Sequence, residues 1–301
     1  RYSDWISTNS YDVEDDIEIK VLDFRVYNED TEELFYSING AIAEAFDGDT
    51  INIWKGTYRE LVVIDKELTL TGNGTSETVI NGTFSGHTVK VESNEVTISN
   101  LAIVASGYSS SGIYVEGGDG EFTNLRFSYN NISYQSVEDF NEIKNSIFKY
   151  SKFGILVSGD DNIILNNTFN DNKIAIKIDE ECEDLNIENN DISENYEFGI
   201  VIFKAESNVI TSNDINNNSG YGIHSYFASE NEIFDNDLSY NSDVSLFVEG
   251  TGNTTIHNNT FVGNGMPTVI NEANKNNFWM YSFNFDFLFS SRDLIHRISV
   301  I

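Results

Sequence analysis

The chain has 301 residues, a formal net charge of −32 and a pI near 4.1, and 40% of its residues are hydrophobic. This acidity argues against binding to nucleic acid or to an anionic membrane, because both partners require a basic surface. Cys182 is the one cysteine, which excludes an internal disulfide. No window of about 18 apolar residues occurs, so no membrane span is predicted.

Two segments precede the repeats. Residues 1–30 are predicted to form a strand extension, because apolar residues alternate with polar ones over 17–21 and again over 24–26. Residues 31–47 are predicted to be an amphipathic capping helix with Thr31 as its N-cap. The apolar residues that share one face of this helix are Leu34, Ile38, Ala41, Ile42 and Ala45.

Four short motifs follow this segment. They are GDTI at 48–51, GTY at 56–58, VIDK at 63–66 and LTLTG at 68–72. The series resembles the N-terminal cap and first coils of the pectin-lyase-like superfamily, in the group with NosD-like repeats. The resemblance implies an all-β fold, a right-handed parallel β-helix over 48–279 with a capping helix before it. It does not define an activity, since the group contains lyases, hydrolases, epimerases, carbohydrate binders and surface proteins.

The repeat can also be counted from the residues alone. One apolar column recurs every 21–24 residues, at Ile98, Phe122, Ile143, Ile164, Ile187, Ile210, Ile233 and Ile256. A second lies five residues later, at Ile103, Phe127, Phe148, Phe169, Ile192, Ile215, Leu238 and Phe261. A third, of small residues, comprises Thr88, Gly112, Ser133, Gly154, Ala175, Gly199, Gly222 and Ser245. This period is typical of one solenoid coil and predicts about nine or ten coils.

A polar column marks one corner of the predicted coil. It comprises Asn100, Asn124, Asn145, Asn166, Asn189, Ser212, Asp235 and Asn258. Five of these residues are followed directly by a second asparagine, namely Asn167, Asn190, Asn213, Asn236 and Asn259. Asparagine tolerates the left-handed conformation of a sharp corner, and its amide can stack on the next coil. We therefore expect an internal amide ladder at this corner.

Catalytic motifs of the superfamily are missing from the sequence. The resemblance implies that an enzyme of this superfamily would carry an N-T-D, G-H-G, R-I-K or D-P-H-D motif, and none of these occurs in the chain. The Asp160-Asp161 pair is present, but no histidine follows it at a matching position. No catalytic residues are therefore assigned, and the sequence favours a protein that is not an enzyme. The catalytic alternative is a lyase that uses a lysine of the basic segment with nearby acids. Its candidate lysines are Lys149, Lys152, Lys173 and Lys177.

The outward positions of the later coils carry an aromatic patch. Strand alternation places Val201, Phe203, His224, Tyr226 and Phe247 together on one face. Aromatic rows of this kind can stack on sugars or hold a protein partner. Three occupants remain open for the patch: a terminal segment of this chain, another subunit, or a glycan.

Acidic turns follow the same strands. Asp160, Asp161, Glu183 and Asp184 are the predicted ligands of a calcium ion, with solvated acidic turns as the alternative. Sequons in turns predict glycosylation at Asn73, Asn81, Asn217 and Asn253. Cys182, in an acidic turn, is expected to be an exposed and unreactive thiol.

Residues 280–301 form an apolar tail in which Phe283, Phe285, Phe287 and Phe289 alternate as in a strand. A run this apolar is expected to cap the solenoid or to join another molecule. The sequence therefore predicts a non-catalytic extracellular or cell-surface solenoid that self-associates through its termini, in a filament or surface coat, or acts in adhesion. The alternative is a carbohydrate-active enzyme, a lyase or hydrolase, or a glycan-binding protein. No cofactor is required by either prediction, and calcium is the candidate ion.

Overall fold

A computed structural model of the chain describes residues 24–249 and 252–266, together with the backbone of two short strands, Val269–Asn271 and Asn277–Phe278. The strand predicted over 17–21 and the tail predicted over 280–301 lie outside the described residues. The described chain winds into a right-handed parallel β-solenoid of about nine turns, whose coils build three sheets. The predicted fold class is confirmed.

The strands are numbered β1 to β30 in chain order. Sheet 1 consists, from its N-terminal edge, of β2 (Glu33–Phe35), β1 (Val26–Asn28), β3 (Thr50–Ile53), β6 (Thr69–Gly72), β9 (Thr97–Ser99), β12 (Glu121–Thr123), β15 (Glu142–Lys144), β18 (Ile163–Leu165), β21 (Asn186–Glu188), β24 (Val209–Thr211), β26 (Glu232–Phe234), β28 (Thr255–His257) and β30 (Asn277–Phe278). β1 pairs antiparallel with both β2 and β3, and the later pairs are parallel. The sheet therefore begins in a hairpin and continues as a ladder of coils.

Sheets 2 and 3 consist of parallel strands only, within the described chain. Sheet 2 contains β4 (Gly56–Tyr58), β7 (Thr78–Asn81), β10 (Ala102–Val104), β13 (Arg126–Ser128), β16 (Ile147–Lys149), β19 (Thr168–Asn170) and β22 (Asp191–Ile192). Sheet 3 contains β5 (Val62–Ile64), β8 (Val89–Val91), β11 (Ser111–Val115), β14 (Ile132–Ser136), β17 (Phe153–Val157), β20 (Ile174–Ile178), β23 (Phe198–Phe203), β25 (Ile223–Tyr226), β27 (Leu246–Glu249) and β29 (Val269–Asn271). Beyond β22, single bridges at Asp214, Asp237 and Thr260 continue sheet 2.

The helix is shorter than its sequence pattern predicts. α1 spans Ile38–Glu44, and its N-cap is Ser37, whose hydroxyl accepts a hydrogen bond from the backbone N–H of Gly40. The residues predicted as its first turns form β2 instead, because β1 supplies an antiparallel partner for them. The carboxylate of Glu60 accepts the N–H groups of Ile38 and Asn39 at 3.0 and 3.1 Å.

The helix closes the N-terminal end of the solenoid through a side chain. Asn39 lies over the edge strand β5, where its Nδ2 donates to the carbonyl of Leu61 at 2.8 Å and its Oδ1 accepts the N–H of Val63 at 3.2 Å. At the other end of α1, the Lys66 ammonium donates to the carbonyls of Ile42 and Ala45. The backbone of β5 is thus bonded to a side chain where a further strand would otherwise pair.

The core consists of the predicted apolar columns. Ile164, Ile187 and Ile210 are direct partners in neighbouring coils of sheet 1, and all three are buried. In sheet 2 the rings of Phe127, Phe148 and Phe169 stack at centroid distances of 4.7 and 4.6 Å. Each side chain therefore packs mainly on its counterparts one coil above and below.

Each full coil turns three corners, and from β9 onward each corner uses the same device. The first residue of the corner takes a left-handed conformation, and the next residue points into the core. At corner 1, between sheets 1 and 2, the left-handed residues have φ between 52° and 58°: Asn100, Asn124, Asn145, Asn166, Asn189, Ser212, Asp235 and Asn258. This polar column is the one predicted from the sequence, but most of its side chains are exposed rather than internal.

The internal ladder belongs to the following residue. Asn190 donates its backbone N–H to Oδ1 of Asn213 in the next coil, and its Nδ2 to the carbonyl of Ile164 in the previous one, each at 2.9 Å. The buried asparagines of corner 1 are Asn167, Asn190, Asn213, Asn236 and Asn259. Corner 2, between sheets 2 and 3, repeats the ladder with Asn172, Asn195, Asn218 and Asn241. Corner 3, between sheets 3 and 1, has shorter ladders of Asn141 with Asn162 and of Asn208 with Asn231.

Cys182 lies inside the solenoid, which corrects the expectation of an exposed thiol. It is fully buried, and its Sγ donates to the carbonyl of Gly159 at 3.1 Å. Burial, together with nearby carboxylates led by Asp160, raises the pKa of the thiol to about 12. Cys182 occupies an inward position at corner 3, whereas the acidic residues on either side of it in the chain are exposed. In the described chain no helix is long and apolar enough to span a membrane.

Candidate functional site

The outer face of sheet 3 brings the predicted patch residues together. Val201, His224 and Phe247 are direct partners across β23, β25 and β27, and Phe203 pairs with Tyr226 beside them. Two further rings, Phe198 and Tyr221, complete the patch. We call the whole set the aromatic surface: Phe198, Val201, Phe203, Tyr221, His224, Tyr226 and Phe247. Val201 was predicted to be exposed, but it is only 4% exposed, because it lies between the longer side chains of Lys177 and His224 on the adjoining strands.

His224 lies at the centre of the aromatic surface. Its ring stacks on Tyr226 at 4.7 Å and lies 5.2 Å from the rings of both Phe247 and Tyr221. Its Nε2 has no hydrogen-bond partner among the described residues, and the nearest carboxylate oxygen, on Glu249, is 3.7 Å away. Burial lowers the pKa of His224 although Glu249 opposes this shift. The imidazole is therefore a neutral ring at neutral pH, packed among the others.

Phe198 and Tyr221 were not predicted from the sequence. Counting outward positions by strand alternation fails here, because the small residue Gly199 and the next residue, Ile200, are both buried. The alternation restarts after this pair, so the outward residue before it falls out of phase. A repeat-by-repeat alignment of the residue before the small column would have found both rings.

A pocket of about 290 Å³ adjoins the aromatic surface at corner 2. Phe198 and Tyr221 form its border with the surface, and its other lining residues are Tyr196, Glu197, Ser219, Gly220 and Asp243. The volume is near the lower limit of small-molecule pockets. Carboxylates and a hydroxyl therefore lie next to half-buried aromatic rings, so one ligand could contact both.

Lysines flank this site, and the nearest of them are paired. Lys173 contacts Glu197 at 3.1 Å, Lys177 contacts Asp179 at 3.0 Å, and Lys204 contacts Glu180 at 2.7 Å. The ammonium of Lys204 also lies 4.8 Å from the ring of Phe203. By contrast, Lys149 and Lys152 have no carboxylate partner among the described residues. Of the four lysines of the lyase alternative, Lys173 and Lys177 are thus in salt bridges and Lys149 and Lys152 are not, within the described chain.

The opposite end of the same face carries a different cluster. His87 stacks on Tyr114 at 4.5 Å, and its Nδ1 accepts the backbone N–H of Ser111 at 3.0 Å. Lys90 contacts Glu92 and Glu116 at 2.6 and 2.8 Å. In this cluster one ammonium is shared between two carboxylates, in contrast to the apolar rings around His224.

The predicted calcium ligands are not gathered into one cluster. Asp160 accepts the backbone N–H of Glu183 through Oδ1 at 2.8 Å, and donates its own N–H to the carboxylate of Asp139 at 2.7 Å. Among the described residues there is no group of three or more His, Cys, Asp or Glu side chains that could hold a metal ion. The carboxylates of Asp160 and Asp139 instead each bond the backbone of the next coil at corner 3.

The other predicted sites are distributed around the solenoid. Asn73, Asn217 and Asn253 are exposed and Asn81 is half-buried, so glycosylation at these sites stays a prediction. The tail phenylalanines Phe283, Phe285, Phe287 and Phe289 lie outside the described residues.

Solved structures match the chain at low identity. The A-module of the Azotobacter vinelandii mannuronan C-5 epimerase AlgE6 matches with a TM-score of 0.63 and 13% identity, over 81% of this chain and 92% of that one. The enzymatically active domain of the bacteriophage CBA120 tailspike protein 2 matches with 0.59 and 13%, over 77% and 42%. DFA-IIIase from Arthrobacter chlorophenolicus, in complex with DFA-III, matches with 0.52 and 16%, over 75% and 71%. At these identities the matches establish a shared fold.

A search of curated protein sequences gives no match. A family model described as "Right handed beta helix region" matches residues 111–261, which is half of the chain and contains the aromatic surface. The chain belongs to this right-handed β-helix family.

Proposed function

We propose that this protein is a carbohydrate-active β-helix protein that binds a glycan on the aromatic surface. The observation that carries the proposal is the contiguous set of rings centred on His224, beside a pocket that contains Glu197, Ser219 and Asp243. A sugar ring has an apolar face and a rim of hydroxyl groups. The rings suit the first, and carboxylate and hydroxyl oxygens suit the second.

The comparisons support a carbohydrate ligand more than the non-catalytic assembly role expected from the sequence. The solved neighbours include a mannuronan epimerase, a tailspike enzymatic domain and an enzyme in complex with DFA-III. They are similar in fold alone, so the chemistry of the aromatic surface has to carry the assignment. An extracellular or cell-surface location is part of the proposal.

The charges around the site favour an uncharged sugar. Each lysine beside the rings is already paired with a carboxylate, as in Lys177 with Asp179 and Lys204 with Glu180. A polyanionic ligand would also approach a protein of net charge −32. The proposed ligand is therefore a glycan whose sugars are neutral where they contact the rings.

Hydrolysis is a second candidate activity, favoured by the two carboxylates Glu197 and Asp243 that line one pocket. Glycoside hydrolysis requires a pair of carboxylates, one as acid and one as base or nucleophile. The test is the release of reducing ends from the polysaccharide that binds, by the wild type and by Glu197→Gln and Asp243→Asn. Release by the wild type and its loss in both variants would support hydrolysis, and no release would restrict the protein to binding.

Binding is tested with a panel of neutral and acidic polysaccharides, by affinity electrophoresis and calorimetry. Tyr226→Ala and Phe247→Ala should each weaken binding about tenfold, since each removes one stacking ring. Tyr108→Ala is the matched control, because Tyr108 is 95% exposed and lies outside the surface. Equal affinities of all four proteins, or no binding by the wild type, would contradict the proposal.

A further inference from the structure

Corner 2 carries aromatic residues where the backbone disfavours them. Its left-handed residues are Ala105, Tyr129, Tyr150, Asp171, Glu194, Asn217, Tyr240 and Gly263, with φ between 55° and 66°. A left-handed conformation costs about 1–2 kcal/mol for most residues and less for glycine, asparagine and aspartate. Three other coils place a cheaper residue here, namely Asp171, Asn217 and Gly263, so the turn does not require a tyrosine.

The core does not explain these tyrosines either. Tyr129 is 61% exposed and Tyr150 is 46% exposed, and their rings stack on each other at 5.2 Å with an interplanar angle of 16°. The buried residues of this corner are the next ones along the chain, Asn130 and Ser151. Two stacked rings are thus held on the outside of the solenoid at a conformational cost.

The rings lead toward the pocket of the candidate site. Tyr150 lies beside the Asp171 carboxylate, and the Tyr196 hydroxyl donates to Oδ1 of the same carboxylate at 3.5 Å. Tyr196 is 59% exposed and lines the pocket together with Phe198 and Tyr221. Tyr221 in turn contacts Phe247 at 5.5 Å. A nearly continuous path of aromatic rings therefore runs from Tyr129 to the aromatic surface.

We propose that Tyr129, Tyr150 and Tyr196, here called the tyrosine ridge, extend the glycan site so that its ligand is one polysaccharide chain rather than a single sugar. The proposal rests on the glycan-binding function above. From Tyr129 to the coil of Phe247 the path crosses five coil spacings, or about 24 Å at the usual distance between strands. A ligand of this length must contain several sugars, and each ring of the ridge offers one a stacking position.

The test replaces the two left-handed tyrosines of the ridge, Tyr129 and Tyr150, by asparagine, which favours that conformation. In Tyr129→Asn/Tyr150→Asn the left-handed backbone is kept, so the denaturation midpoint should be unchanged or higher. Affinity for the neutral polysaccharide that binds the wild type should fall about tenfold, and affinity for a disaccharide of the same sugars should not change. The control is Phe140→Asn, the same replacement at corner 3, where φ is 59° and the ring is also exposed. It should leave both affinities unchanged.

Three results would overturn the inference. If the double variant binds the polysaccharide as the wild type does while Tyr226→Ala loses it, the ridge is not part of the site and the proposed function stands. If the wild type binds no polysaccharide, the inference and the proposed function both fail. If sedimentation shows that the wild type self-associates and the double variant does not, the ridge is a contact between copies of the chain.

Discussion

The inward and outward columns of the solenoid follow different rules. In sheet 1 the inward position holds isoleucine in six successive coils, from Ile143 to Ile256. On the outer face of sheet 3 the equivalent column runs from Lys90 through Leu156 to His224 without a constant residue type. Inward side chains pack on the equivalent side chains of the coils above and below, so only residue types that pack well against themselves are suitable there. Outward side chains contact water, which does not restrict the residue type in this way. A local concentration of rings on the outer face is therefore informative about function, and the constant interior is not.

The largest test of this contrast uses two neighbours in β18. Ile164→Ala should lower the free energy of unfolding by ~2–5 kcal/mol, because the side chain is buried and its loss leaves a cavity between two coils. Ile163→Ala, at the adjacent position that is 37% exposed, should cost less than about 1 kcal/mol. Urea denaturation followed by circular dichroism measures both. Equal losses would show that the two faces of sheet 1 are not energetically distinct.

The second test uses two asparagines at corner 1. Asn213→Ala should cost ~2–4 kcal/mol, because it leaves the buried N–H of Asn190 and the carbonyl of Ile187 without their partners. Asn189→Ala removes an exposed side chain and costs about 1 kcal/mol through left-handed strain. Asn189→Gly should recover that smaller loss, while Asn213→Gly should recover nothing. Recovery at both positions would mean that the conformation of the corner matters and the ladder does not.

The third test concerns pH and the outward column. The folded-state pKa of His224 is lowered, so below pH 6.5 the unfolded chain takes up the proton first and the folded state loses stability as pH falls toward the lowered value. One such group changes stability by at most about 1.4 kcal/mol per pH unit. In His224→Phe, the loss of stability between pH 7 and pH 5 should be smaller than in the wild type. Tyr226→Phe, which keeps the imidazole, should retain the wild-type loss, and identical slopes in all three proteins would contradict the assigned shift.

The smallest expected effect is a gain. Phe140→Asn should raise the free energy of unfolding by up to about 1 kcal/mol, and with it the urea midpoint, because φ is 59° and the ring is 58% exposed. At corner 1 the sequence already has asparagine in this left-handed conformation, as at Asn145. Corner 1 therefore serves as the reference for an unstrained turn. A lower midpoint in the variant would show that the Phe140 ring stabilises the fold through packing.

Much of the fold follows from the sequence because a solenoid repeats its own constraints. The spacing of Ile187, Ile210 and Ile233 predicted the coil, its period and its inward face. The helix was predicted too long, since pairing between β1 and β2 overrides the helical spacing of Leu34. The asparagine ladder was assigned to the wrong residue of each pair, because composition does not show which of two adjacent amides turns inward.

The candidate site was predicted in part. His224, Tyr226 and Phe247 were placed together by alternation, which holds along the second half of each strand. Tyr196 and Tyr221 were missed because they lie where the chain leaves corner 2 and the alternation breaks. The tyrosine ridge was missed for another reason. Tyrosine rarely takes a left-handed conformation, so the residue types at Tyr129 and Tyr150 do not predict their positive φ. Turns that carry an unexpected residue type are thus visible only after the backbone is known.

The side-chain cap of Asn39 gives the solenoid a direction. Head-to-tail growth requires one molecular end that offers an edge strand and another that accepts it. At the described N-terminal end, the amide of Asn39 already bonds the backbone of β5 as a strand would. A second molecule that added a strand to β5 would have to displace the helix first. On sheet 3, association that leaves the helix in place is therefore limited to the opposite ends, and it joins two molecules and then stops.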